Sequence, residues 1–442
     1  MPTPSLTRVR AEEAIERGDG LKAEAGLGGT VPPGAVRIAL VIVAGLVALP
    51  AFAIGAELDA ALGVKGVIEA SLGGGAILAS VAVLAAIAGA RSGLSTYALI
   101  INAFGIQGGK LVNFILAAVL LGWFGVTLMM FASSATQGLA SLELRSPSLL
   151  WALAGSAAMT ITALIGFRAL EAVARISAPL KFILLFWAAL AALGSHAGAS
   201  LWQVPVVPKM SLVSATSLAA GGMIAGALLT PDICRFARSA MQAAIGCGIA
   251  FGLGFPLVLS VAAIPAQMSG QRDIVLIMIS LGLGLPALLI VALAAWSMNA
   301  QNLYSTSLIF ATLAPKQTHA RLAVAAGVLG AFVGLSGISQ HLVPFLSMLS
   351  IGVPPVAGVY LMHFYFSHDG GRAGAANAWS ATALASWVLG SGVAGLEVWW
   401  HFTLSSVTAI DTLLVSACAY GAIRFATGQT NFQTAIATKN NA

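Results

Sequence analysis

The stretch Trp296-Ser297-Met298-Asn299-Ala300-Gln301-Asn302-Leu303-Tyr304-Ser305-Thr306-Ser307 carries the densest polar chemistry in the chain. Most of its residues bear a hydroxyl or an amide, yet it lies between the apolar runs Leu285–Ala295 and Leu308-Ile309-Phe310. One or two such groups in an apolar helix are accounted for by interhelical hydrogen bonds, worth about 0.6 kcal/mol each. A cluster this dense points to a ligand. Lys181, two residues after Pro179 in another apolar stretch, is the second candidate. Ionisable side chains inside membrane segments are costly and mark functional sites, although a lysine can also snorkel to the interface. Asp232 and Arg235 stand three apart at the end of a further apolar stretch. They could cap and pair at that helix end, or form a gate that breaks during a transport cycle.

Other chemistries find no support in the pattern. Cys234, Cys247 and Cys418 form an odd, dispersed set, which implies neither a disulfide framework nor a metal site. The six histidines are scattered too. Gly390-Ser391-Gly392-Val393-Ala394-Gly395 matches a dinucleotide fingerprint, but it lies in an apolar span with no preceding strand, so it reads as close helix packing. No nucleophile–base constellation is visible, and the chain is expected not to be an enzyme and to carry no cofactor.

These residues need an apolar scaffold to position them, and the composition supplies one. Of 442 residues, 59% are hydrophobic and 8% charged, against about 25% charged in a soluble domain. Around twelve apolar stretches of roughly 20 residues recur, each long enough to cross a hydrocarbon core of about 30 Å. The expected fold is an all-α polytopic membrane protein with twelve transmembrane helices. Residues 1–34 read as a polar cytoplasmic tail without a cleavable signal, and 426–442 as a second tail. The net charge of +6 is topological: of 21 Lys and Arg, only Lys65, Arg145, Lys209 and Arg272 fall on the far side of the spans. That is the positive-inside pattern, with both termini in the cytoplasm of an inner-membrane protein. It is not a nucleic-acid footprint.

Two spans, 36–54 and 212–230, carry helix-breaking residues: Gly45 and Pro50 in the first, and Gly221-Gly222 ahead of Pro231 in the second. A broken helix frees backbone groups that lipid cannot satisfy, so a break must face protein or a polar cavity. Breaks at corresponding positions of two halves point to a transporter's binding site.

Five stretches, in order along the chain, carry a family resemblance. They are Gly89-Ala90-Arg91-Ser92-Gly93-Leu94-Ser95-Thr96 with Phe104-Gly105, Gly122-Trp123-Phe124-Gly125-Val126, Thr230-Pro231-Asp232-Ile233-Cys234-Arg235-Phe236-Ala237-Arg238, 296–308 and Pro354-Pro355-Val356-Ala357-Gly358-Val359. Together they resemble the nucleobase:cation symporter family, the cytosine, purine and related-base permeases. The resemblance implies a LeuT-like fold of two inverted five-helix repeats, 35–195 and 212–363, followed by two helices in 375–425. It implies a small-molecule substrate held between the broken first and sixth helices, with the third and eighth alongside, in a monomer embedded in the bilayer.

In that family a flat heterocycle stacks on the third-span tryptophan, and Trp123 is the matching residue. An aromatic–base stack supplies about 1–3 kcal/mol. Asn299 matches a family amide. Leu120, Met223 (preceded by Gly222) and Ala294 replace a glutamine, an aromatic and an asparagine of cytosine-type members. A pocket with fewer amides puts cytosine itself in doubt, unless Gln301 or Asn302 supplies the missing group. The ion site departs likewise. In sodium-coupled relatives, first-helix carbonyls, here near Gly45 and Leu49, and two eighth-span hydroxyls hold Na⁺. The hydroxyl pair is replaced by Ser297-Met298, and a thioether is a poor sodium ligand. Lys181 could stand in for the ion and couple transport to H⁺.

The expected function is therefore import of a nucleobase-like heterocycle (cytosine, a purine or a substituted pyrimidine) by H⁺- or Na⁺-coupled alternating access. The alternative is a same-fold carrier of another small solute, such as an amino acid or amine. A channel would need recurring filter motifs, and none is apparent.

Overall fold

The computed structural model describes residues 32–140, 143–195, 208–269, 284–341, 345, 348–349, 351–366, 377–400 and 404–427. Most of both expected tails lies outside the described residues. Everything regular among the described residues is helical. In chain order the α-helices are α1 (Ala35–Leu46), α2 (Leu49–Ser92), α3 (Thr96–Phe104), α4 (Ile106–Ala140), α5 (Ser148–Ile165), α6 (Phe167–Ser195), α7 (Leu212–Leu228), α8 (Pro231–Cys234), α9 (Ala240–Ile249), α10 (Phe255–Ser269), α11 (Gly284–Leu313), α12 (His319–Leu335), α13 (Pro354–Phe366), α14 (Ala381–Trp400) and α15 (Thr408–Ala426). Seven stretches among the described residues are long and apolar enough to cross a membrane, and three shorter apolar helices accompany them. The protein is an integral membrane protein built as a helical bundle.

The first span breaks between Leu46 and Leu49, where Val47 and Ala48 leave the helical region. Pro50 falls in the first turn of α2, where its missing N–H costs nothing. α2 then turns at Gly63, whose φ of 72° and ψ of 172° divide it into two helices. That region of backbone space is open essentially to glycine alone. Beyond the turn, Gly73, Gly74 and Gly75 let α2 lie directly on its neighbours. A Cβ on Gly74 would sit 2.9 Å from Ala219 Cβ of α7, and one on Gly75 would sit 2.6 Å from Pro256 Cγ of α10. Small residues at such contacts allow the dispersion packing that holds membrane helices together.

The second span breaks elsewhere than expected. α7 runs unbroken through Gly221 and Gly222 and ends at Leu228, and the interruption lies at Leu229–Thr230, before Pro231. Glycine in a helix interior costs about 1 kcal/mol relative to alanine, which surrounding packing readily absorbs. A proline instead deprives the carbonyl four residues back of a partner. Gly222 serves contact, since a Cβ there would collide with Ile54 Cδ1 of α2.

Gly63→Ala should lower folding stability by about 1–3 kcal/mol, because alanine cannot adopt that backbone without strain. A thermal-unfolding midpoint in detergent equal to wild type would contradict the assignment of Gly63 as an obligate turn glycine.

Candidate functional site

The break after α1 leaves two carbonyls without helical partners. Ala48 N–H turns back to Leu46 O at 2.9 Å, and Ala51 N–H bonds Ala48 O at 3.0 Å. Ala44 O and Val47 O therefore lack the amides that an unbroken helix would give them. Lys181 of α6 takes both. Its Nζ donates to Ala44 O, to Val47 O at 2.9 Å and to Ser297 Oγ of α11 at 2.7 Å. Ser297 Oγ in turn lies 3.0 Å from Ala44 O. An ammonium has three donors, and here all three are matched. Lys181 is fully buried, so it does not snorkel to the surface.

The accepting carbonyls are Ala44 and Val47, and not Gly45 and Leu49. The break falls at Val47–Ala48, after the glycine and before the proline, and only carbonyls facing it are released. Gly45 contacts Gln301 instead: a Cβ there would lie 2.8 Å from Gln301 Oε1, and Gln301 Nε2 donates to Val41 O at 3.2 Å. Met298, next to Ser297, is half-buried against the apolar core.

Trp123 sits on α4 and is only 6% exposed, so its indole is packed against protein. Its ring meets Phe345 edge-on, with centroids 5.6 Å apart and planes at 76°, the favoured geometry for an aromatic pair. Leu120, one turn earlier, lines an apolar cavity between α4, α7 and α13 that includes Ala225, Leu228, Val356 and Tyr360. Met223 and Ala294 are buried in the surrounding core. Gly221, one turn before Ala225, would meet nothing within 4 Å if it carried a Cβ.

Asn299 is fully buried and points towards α4 and α5. Thr127 Oγ1 lies 2.5 Å from its Oδ1, and its Nδ2 reaches Phe124 O at 3.4 Å and Met159 Sδ at 3.5 Å. Asn302 Nδ2 adds a contact of 3.4 Å to Asn299 Oδ1. Sequence reasoning had no sign of Thr127, because a lone hydroxyl in an apolar helix usually bonds its own backbone.

Asp232 and Arg235 do not pair; no ion pair joins them among the described residues. The carboxylate of Asp232 accepts from Thr96 N–H at 2.9 Å, in the first turn of α3, and from Ser305 Oγ at 3.3 Å. An anion at a helix N-terminus meets unbonded amides and a favourable dipole. The guanidinium of Arg235 lies 4.5 Å from the Phe236 ring centroid. The backbone between them is helical, and the side chains diverge because each has another partner, Thr96 N–H and Ser305 for the carboxylate and the Phe236 ring for the guanidinium. The cysteines are also less dispersed than their numbering implies: Cys234 and Cys247 are buried free thiols with sulfurs 3.5 Å apart.

The sequence and the fold both have known relatives. A family model described as a permease for cytosine/purines, uracil, thiamine, allantoin matches residues 34–391. The cytosine permeases of Escherichia coli K12 and O157:H7 are each 32% identical over 278 residues. That alignment covers 62% of this chain and spans 64% of the length of those relatives. Among solved structures, MHP1, a nucleobase-cation-symport-1 family transporter in a closed conformation with bromovinylhydantoin bound, superposes with a TM-score of 0.77 at 18% identity, over 90% of this chain and 93% of that one. Mhp1 in its inward-facing conformation gives 0.72 at 18% identity, over 91% and 94%. A Na⁺-coupled sialic acid symporter gives 0.61 at 13% identity, over 89% of each chain. These likenesses establish the fold.

Lys181→Met should destabilise the protein by about 1–3 kcal/mol, the cost of leaving Val47 O buried without a donor while Ser297 still serves Ala44 O. The readout is the unfolding midpoint of purified protein, and an unchanged value would mean that the carbonyl finds another partner.

Proposed function

The chain belongs to the family of permeases for cytosine, purines, uracil, thiamine and allantoin, a family of transporters and not of enzymes, and from that membership we propose that it imports a flat, nucleobase-like heterocycle coupled to H⁺. Support for the cargo comes from Trp123, a buried indole one turn along α4 from the cavity-lining Leu120, and from a fold shared with a transporter that has bromovinylhydantoin bound. The pocket side chains would be Trp123 and Leu120 of α4, Gly222 and Met223 of α7, and Ala294 and Asn299 of α11.

The observation that carries the coupling is the Lys181 ammonium, bonded to both carbonyls freed by the α1 break and to the Ser297 hydroxyl. A protonated Lys181 holds α1 against α6 and α11. Loss of its proton leaves the amine two donors and removes the charge that strengthens its bonds to the α1 carbonyls, so the hold on α1 weakens. The proton state of a single side chain thus biases the position of the broken helix, as alternating access requires. Sodium is not needed for this step, because a cation already meets those oxygens.

The same reading makes the protein a monomer of the cytoplasmic membrane with both termini inside. Its twelve helices would comprise repeats 35–195 and 212–363 plus the pair in 375–425. Asp232, bound to α3 and to Ser305, would belong to the gate on the side where the chain enters the membrane.

Two measurements in proteoliposomes test the reading. An inward H⁺ gradient without sodium should drive accumulation of radiolabelled base; Lys181→Ala should abolish accumulation while leaving base exchange. Sodium-dependent uptake that survives Lys181→Ala would overturn proton coupling. Trp123→Ala should weaken binding of the base by about tenfold or more, the equivalent of a lost 1–3 kcal/mol stack. Unaltered binding would overturn the stacked-heterocycle reading.

A further inference from the structure

α11 presents three differently occupied faces, and the third is the informative one. At 3.6 residues per turn, Ser297 and Gln301 share one side, where they bond Ala44 O and Val41 O of α1. Trp296 and Asn299 share the opposite side, bonded to Thr162 of α5 and to Phe124 O of α4. Met298 and Asn302 fall on the arc between. Asn302 is only partly buried, although it lies mid-helix in the interior of the bundle. Its amide therefore keeps some accessible surface.

The orientation of its amide follows from hydrogen-bond logic. Phe124 O can only accept, so the atom of Asn299 facing it must be the NH₂ group. Asn299 Oδ1 therefore faces Thr127 and Asn302. An oxygen there requires the NH₂ of Asn302, at 3.4 Å. The carbonyl oxygen of Asn302 is left turned away from Asn299, and no hydrogen bond to Oδ1 is formed among the described residues.

We propose that Asn302 reads the substrate, its Oδ1 accepting from a ring N–H of the heterocycle, with Asn299 as the positioning residue that fixes the direction of the Asn302 amide. The inference rests on the heterocycle reading above and deepens it. The preferred cargo carries a ring N–H donor on the edge facing α11, with the Met298 thioether supplying an apolar contact beside it. Bases that present only acceptors or a methylated nitrogen on that edge bind poorly, because a site built around a polar group discriminates strongly against ligands that leave it unmatched.

The test is a binding cycle on purified protein with cytosine, uracil and hypoxanthine, each beside its ring-N-methyl isomers. Wild type should bind at least one base and lose about tenfold or more when one particular ring nitrogen is methylated. Asn302→Ala removes the acceptor and makes room for the methyl group, so the ratio of parent to methylated base should fall to about one. If Asn302→Ala does not fold, Asn302→Val, which also lacks an acceptor, replaces it with the same expected change of ratio. Parent bases that bind wild type with the methylation preference unchanged in the variant would overturn the role of Asn302 and leave the heterocycle reading standing. Failure of every base to bind wild type would overturn both.

Discussion

Two carbonyl oxygens and one ammonium govern this structure. Ala44 O and Val47 O exist as free acceptors only because α1 stops at Leu46 and the chain restarts at Leu49. In a bilayer interior no water can take their place, so the break is stable only if another element supplies donors. Lys181 and Ser297 supply them from α6 and α11. An ammonium in the same setting would itself be prohibitive without acceptors. Each half of the arrangement is unstable alone, and that mutual dependence ties three helices together at one point.

α11 extends this constraint across the bundle. Its polar residues look like a single cluster in the sequence, but helical periodicity distributes them to separate tasks. Ser297 and Gln301 close the gap to α1, Asn299 braces α4, and Ser305 reaches Asp232 beside the second break. One straight helix therefore touches the breaks of both α1 and α7. A displacement at either break is felt by the same rigid element, which is how a packed interior transmits a shift instead of absorbing it.

Much of this was legible in the sequence, and the misses share a cause. The membrane class, the helical bundle and the first break follow from hydropathy and helix-breaking residues, and the contact of Lys181 and Ser297 with the freed carbonyls from the cost of leaving either polar partner alone in an apolar span. What failed was register. Gly45 lies between the freed carbonyls of Ala44 and Val47 and Leu49 beyond them, yet neither provides one, because a break is located by which amides turn away and not by which residues have weak helix propensity. Gly221-Gly222 left α7 intact, since close contact with Ile54 uses the absent Cβ without bending the backbone. Asp232 and Arg235 are spaced as a helical pair and keep helical backbone, yet Thr96 and Ser305 take the carboxylate instead. Cys234 and Cys247 meet only because α9 folds back on α8. These are tertiary outcomes that local spacing does not encode.

The two breaks also differ in how their freed groups are satisfied, and the difference has a mechanical consequence. At the second break Asp232 N–H bonds Leu229 O, which releases Leu228 O, and the hydroxyl of Tyr360 takes it at 2.8 Å. Thr230 Oγ1 reaches across to Ala82 O of α2 at 3.1 Å. Neutral hydroxyls thus close the backbone of the second break, whereas a cationic side chain closes the first. Hydrogen bonds to charged groups contribute about 1.5–3 kcal/mol, roughly twice the neutral value. The first break is therefore the more tightly held while Lys181 is charged, and the one whose grip changes when it is not. A change in the charge of Lys181 would therefore act on α1, while the hydroxyl bonds from Tyr360 and Thr230 at the end of α7 carry no charge to lose.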